Sequence, residues 1–130
     1  MNNEDYCSYE LSKALKACGF DEPCIAQWAC EPNGKPMLVG STAFVFSNAQ
    51  LKGRDVTAPL LFHAQKWLRE KGIAVSVQAN EIQGELWYSA DIITTKGINE
   101  LVDGGFDYMR YEAALSAGLS AALELIKKGE

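Results

Sequence analysis

The stretch Ile73-Ala74-Val75-Ser76-Val77-Gln78-Ala79-Asn80-Glu81-Ile82-Gln83-Gly84-Glu85-Leu86-Trp87-Tyr88-Ser89-Ala90-Asp91-Ile92-Ile93-Thr94-Thr95 decides the fold. Its first half alternates. Ile73, Val75, Val77 and Ala79 fall on one side of an extended chain, and Ala74, Ser76, Gln78 and Asn80 on the other. A period of two marks a strand with one apolar face. Gln83-Gly84 supplies a tight turn, because glycine reaches backbone angles that other residues avoid. The return strand, residues 86–95, puts Tyr88, Ala90 and Ile92 on one face and Trp87, Ser89, Asp91 and Ile93 on the other. The stretch therefore reads as an antiparallel hairpin.

Working outward, a helix precedes the hairpin and stops at Gly72. Leu60, Leu61, Ala64, Trp67 and Leu68 form its buried face, with Lys66, Arg69, Glu70 and Lys71 solvated. Thr57-Ala58-Pro59 opens it, since proline is tolerated in a first helical turn. Residues 47–56 are polar, contain Gly53 and read as a loop. Before them lies a second hairpin. In residues 24–30, Ala26, Trp28 and Cys30 face opposite to Gln27, Asn33-Gly34 gives the turn signal, and residues 37–46 return.

The first helix is the clearest. Ser8 caps it, Glu10 lies in its first turn where the helix dipole favours a carboxylate, and Leu11, Ala14, Leu15 and Cys18 make one apolar stripe. Ser12, Lys13 and Lys16 sit off that stripe. Gly19 takes the left-handed position after the helix, so that Phe20 can fold back. Beyond the long hairpin, residues 96–108 are a connection with one short helical turn at 98–102. The last helix starts near Asp107 or Tyr108 and runs towards Lys128, with Leu115, Leu119, Ala122, Leu123 and Ile126 as its stripe. Its many small residues, Gly118 among them, suit close packing on a sheet or on a second copy.

The order is α-β-β-α-β-β-α. It predicts an α+β fold with a four-stranded antiparallel sheet, built from two hairpins, and helices packed on it. With 130 residues and no linker, the expectation is a single domain over residues 1–130. Hydrophobic residues make up 48% and charged residues 22%, which excludes a disordered tail or a coiled-coil rod. No apolar run approaches the roughly 20 residues that span a bilayer, so no membrane partner is expected. A net charge of -5 with scattered basic residues argues against general nucleic-acid binding. Met1-Asn2-Asn3-Glu4-Asp5 lacks the basic start and apolar stretch of a signal peptide, which predicts a cytoplasmic protein with free thiols.

Chemistry-bearing residues form no constellation. Cys7, Cys18, Cys24 and Cys30 are separated by 11, 6 and 6 residues, unlike the close pairs of a zinc site, so they read as small buried apolar side chains. His63 is the sole histidine and lies beside the apolar positions of the second helix, with no local signature of a Cys–His pair. Gly104-Gly105 lacks the lysine and hydroxyl of a phosphate-binding loop. No catalytic, metal or cofactor residue is assigned. The residues singled out are Trp87, Asp91 and Ile93, which share the strand face opposite Tyr88 and Ile92. A tryptophan exposed on a sheet is a common interface anchor; the reverse register, with Trp87 in the core, is equally open.

Five blocks also carry a likeness: Tyr9-Glu10-Leu11-Ser12-Lys13-Ala14-Leu15-Lys16, Gly19-Phe20-Asp21-Glu22-Pro23-Cys24, Thr57-Ala58-Pro59-Leu60, Trp67-Leu68-Arg69-Glu70-Lys71 and Tyr111-Glu112-Ala113-Ala114-Leu115. Together they resemble a group of small uncharacterised proteins from bacterial phage and prophage gene sets. The likeness departs over residues 38–55 and 93–110. It implies a phage or mobile-element origin and a cytoplasmic setting, and it carries over no activity and no catalytic residue.

The leading expectation is a non-catalytic domain that binds a protein partner or itself. The first alternative is a small-ligand or enzymatic domain with a pocket at a helix–sheet junction, using His63 or a cysteine. The second is an acidic phage anti-defence protein that mimics the charge of DNA.

Overall fold

Helix α1 (Tyr9–Ala17) begins as its cap dictates: the Ser8 hydroxyl accepts a hydrogen bond from the Leu11 amide at 3.1 Å. It ends on Gly19, whose φ of 97° is open to glycine and strained for other residues. The Phe20 amide then reaches the Leu15 carbonyl at 2.9 Å, and the Phe20 ring is fully buried. The computed structural model describes residues 3–40, 44–104 and 108–129, in two units, Met1–Leu60 and Leu61–Glu130.

In the first unit, β1 (Ala26–Cys30) is the centre of a three-stranded antiparallel sheet, flanked by β2 (Pro36–Gly40) and β3 (Val56–Thr57). Trp28 stands between Leu38 on one side and Val56 on the other. The return strand is shorter than the 37–46 expected, because β1 begins at Ala26 and its partner there is Gly40. Residues 41–43 lie outside the described part of that expectation. Phe46 bridges to Cys24 through two 2.7 Å hydrogen bonds.

The second helix does not open at Thr57-Ala58-Pro59. Those backbone groups are already committed: Thr57 N–H to the Asn48 side chain, Ala58 N–H to the Ala26 carbonyl, and the Pro59 carbonyl to the Cys7 amide. Val56–Thr57 is strand instead, and Leu60 lies ahead of the helix, bridged to Tyr6. Ser12, Asn48 and Thr57 are polar residues buried in this core. Ser12, expected off the stripe, is buried and donates to the Cys7 carbonyl. Asn48, in a 3-10 turn (Asn48–Gln50), donates to the Phe20 carbonyl at 2.8 Å and accepts from the Thr57 amide at 2.9 Å.

In the second unit, α2 (Leu61–Glu70) leads into the long hairpin of β4 (Ile73–Ile82) and β5 (Glu85–Thr94). Its turn has both central residues in the left-handed region, Gln83 at φ 53° and Gly84 at φ 84°. A third strand, β6 (Asn99–Leu101), pairs antiparallel with β5 where the sequence suggests a helical turn. The outer edge of β5 offers unpaired backbone groups, and three extended residues satisfy them better than one turn of helix. A 3-10 turn (Val102–Gly104) follows.

Helix α3 (Tyr111–Lys128) starts later than Asp107 or Tyr108, because the Tyr108 backbone is paired with Tyr88. Its buried stripe includes Leu115, Leu119, Ala122 and Leu123. Gly118 lies directly over Val75 and Ala90, which fixes the sheet face on which α3 packs. α2 packs on β4 and α3, with the Gln65 amide donating to the Val75 carbonyl at 2.7 Å.

The architecture is thus mixed α and β, with three α-helices among the described residues, and two antiparallel three-stranded sheets in place of one four-stranded sheet. The α-β-β-α-β-β-α order gains β3 and β6. No described helix is long and apolar enough to cross a membrane.

Candidate functional site

The register of β4 against β5 sorts every side chain of the long hairpin onto one of two faces. Val75 stands opposite Ile92, Val77 opposite Ala90 and Ala79 opposite Tyr88, and this is the face that α3 covers. Tyr88 also meets Tyr111 edge to face at 6.0 Å, which ties the start of α3 to the same side. The other face carries Ala74 opposite Ile93, Ser76 opposite Asp91, Gln78 opposite Ser89 and Asn80 opposite Trp87.

Trp87, Asp91 and Ile93 therefore share the face away from α3. Trp87 and Asp91 are half-buried, and Ile93 is 46% exposed. β6 widens this face. Leu101 stands opposite Asp91 and is 48% exposed, so that Ile93 and Leu101 are diagonal neighbours on adjacent strands. Ile82, at the hairpin end of the same face, is exposed as well. Leu101 escapes a reading of the sequence because it belongs to a strand of only three residues, too short to show a period.

The charge on this face is one-sided. Glu85 and Asp91 belong to it, and no lysine or arginine of β4, β5 or β6 does. In its middle Ser89 is fully buried, and its hydroxyl has no hydrogen-bond partner among the described residues.

The other chemistry-bearing residues lie elsewhere. His63 is half-buried on α2. Cys7 and Cys24 are buried in the first unit, and Cys18 and Cys30 are half-buried. Burial pushes the Cys24 thiol up to about 11, and it holds the Cys7 thiol well above its ordinary range, with the charge of Cys24 adding to the effect. Thiols so held stay protonated and unreactive at neutral pH. Among the described residues, no group of three or more His, Cys, Asp or Glu side chains is placed to hold a metal ion.

No protein-family model matches the chain, and neither does any curated protein or solved structure.

Proposed function

We propose that the chain is a non-catalytic protein-binding domain that receives another protein on the open face of β4, β5 and β6. One observation carries this reading: Ile93 and Leu101, both about half exposed, adjoin across neighbouring strands on the face that also carries the half-buried Trp87 nearer the hairpin turn. Covering the exposed half of each side chain is worth about 1 kcal/mol, and Trp87, further along the same face towards the turn, supplies a side chain of the kind that often anchors an interface.

The partner has a definable chemistry. Among the described residues, the strands contribute the carboxylates of Glu85 and Asp91 to the face and no lysine or arginine, so it suits apolar side chains rimmed by lysine or arginine. A second copy of the chain fits less well, because it brings Asp91 carboxylates of both copies towards one contact. The phage or prophage origin and the cytoplasmic setting implied by the sequence blocks belong to the same proposal.

A variant carrying Ile93→Asp and Leu101→Asp tests it. The expected result is loss of partner binding with an unchanged circular dichroism spectrum. Phe62→Asp, at a residue 65% exposed on α2, is the matched control and leaves binding intact. Binding that survives the double substitution removes the face from consideration.

A further inference from the structure

A second surface lies in the first unit, where α1 meets the loop that leads to β3. It is a cleft of about 540 Å³, lined by Tyr9, Lys13 and Lys16 from the helix, by Gly53 and Arg54 from the loop and by Val56 of β3. The volume lies within the roughly 300–1,000 Å³ range of small-molecule sites.

Its charge runs against the rest of the molecule. The chain has a net charge of -5, yet three cations converge here from segments some forty positions apart. Residues 1–60 contain five basic residues, and four of them (Lys13, Lys16, Lys52 and Arg54) fall in these two segments. Two carboxylates adjoin these segments, and an anionic ligand would compete with Glu10 for the Lys13 ammonium. Glu10 pairs with Lys13 at 3.2 Å, and Asp55 accepts the Cys30 amide at 2.8 Å.

The walls are held in place. The Tyr9 hydroxyl and the Cys30 thiol both donate to the Arg54 carbonyl, at 3.2 and 3.5 Å. The Arg54 guanidinium donates to the Glu31 carbonyl at 2.6 Å, which fixes part of its fork and leaves its other N–H groups to bind. The Lys13 ammonium lies 4.7 Å from the centre of the Tyr9 ring. Trp28 meets that ring edge to face at 6.4 Å and anchors its own indole N–H on the Cys7 carbonyl. An aromatic ring beside three cations matches a ligand with an anionic end and a flat or apolar body. Lysine and arginine together favour phosphate, whose oxygens accept several charge-assisted hydrogen bonds at once.

We propose that this cleft binds a small organic phosphate of about mononucleotide size, with the phosphate between Lys13, Lys16 and Arg54 and the organic part against Tyr9. The site is independent of the open sheet face and stands or falls separately.

The test is a titration of the full chain with AMP, with adenosine and with inorganic phosphate, followed by amide NMR shifts. AMP is expected to saturate and to move the signals of Tyr9, Lys13, Lys16, Gly53 and Arg54. Adenosine is expected to bind at least about tenfold more weakly, and AMP binding to weaken as salt is raised. A Lys13→Ala, Lys16→Ala double variant is expected to lose about tenfold or more in AMP affinity. Lys13 is exposed and Lys16 half-buried on α1, so the melting temperature of the double variant is measured beside the parent's, and a Lys16→Gln variant serves if it falls. Adenosine binding as tightly as AMP, shifts confined to other segments, or no saturation by about 10 mM AMP would each overturn the proposal. So would length-dependent binding of an oligonucleotide without binding of AMP.

Discussion

Gly118 of α3 and Val75 of β4 are in contact through a missing side chain: a Cβ at Gly118 would fall 2.5 Å from Val75 Cγ1 and 3.1 Å from the Ala90 methyl. The helix can lie this close only because position 118 is glycine. Alanine there gains about 1 kcal/mol in helix propensity but forces helix and sheet apart, at a cost of roughly 1–3 kcal/mol. Gly118→Ala is therefore expected to lower stability in urea unfolding, and adding Val75→Ala to recover part of the loss. A more stable Gly118→Ala protein would mean that α3 sits further from the sheet.

Asn48 is a polar clamp in an apolar core. Its side chain satisfies the Phe20 carbonyl and the Thr57 amide together. Asn48→Ala leaves both backbone groups unpaired, and is expected to cost about 2–4 kcal/mol. Asn48→Asp keeps the acceptor for Thr57 but loses the donor for Phe20, and should destabilise as well. Thermal unfolding of the two variants against the parent checks this, and a loss under about 0.5 kcal/mol for Asn48→Ala would show that water replaces the amide.

Much of the fold is legible in the sequence where local rules act alone. Ser8, Gly19 and Gly72 mark helix ends through backbone chemistry confined to a few residues, and the period of two in residues 73–82 survives because that strand is long. Val56–Thr57 and Asn99–Leu101 escape because two or three residues cannot display a period. Their strand character comes from edge groups supplied by β1 and β5. Ser12 and Asn48 escape for a related reason: a polar residue reads as exposed until its distant backbone partner is known. The open face follows the same pattern. Trp87, Asp91 and Ile93 are visible as one side of a strand, whereas Leu101 joins them only through tertiary pairing. The basic cleft joins residues 9–16 to residues 53–56, and no spacing rule connects these.

The hairpin turn offers a gain rather than a loss. Gln83 holds a φ of 53° in a turn that favours asparagine at that position. Gln83→Asn is expected to raise stability by about 0.5 kcal/mol, seen as a small upward shift of the melting temperature. A decrease would mean that the glutamine side chain itself supports the turn.

Alkaline pH should weaken the first unit. Burial raises the Cys24 thiol from an ordinary 9.0 to about 11, the neighbouring Thr57 opposes the rise, and a nearby Glu22 adds to it. Below pH 9.0 the thiol is protonated in folded and unfolded chains alike, and its contribution to stability is complete. Between 9.0 and about 11 the unfolded chain releases a proton that the folded chain retains, so stability falls by about 1.4 kcal/mol per pH unit. Cys7 acts in the same direction. Urea midpoints measured across this range should decline, and Cys24→Ala should flatten the decline. An identical slope in that variant would assign the effect to other groups.

The protein-binding reading of the open sheet face is tested most directly by photo-crosslinking in the native cell, with the reactive side chain placed at position 93, at 101 or at 62. One discrete adduct with a different protein is expected from positions 93 and 101, none from position 62, and loss of the adduct when Asp91→Lys is introduced alongside. No discrete adduct from 93 or 101 would contradict that reading, and an adduct between two copies of the chain would replace the foreign partner with self-association.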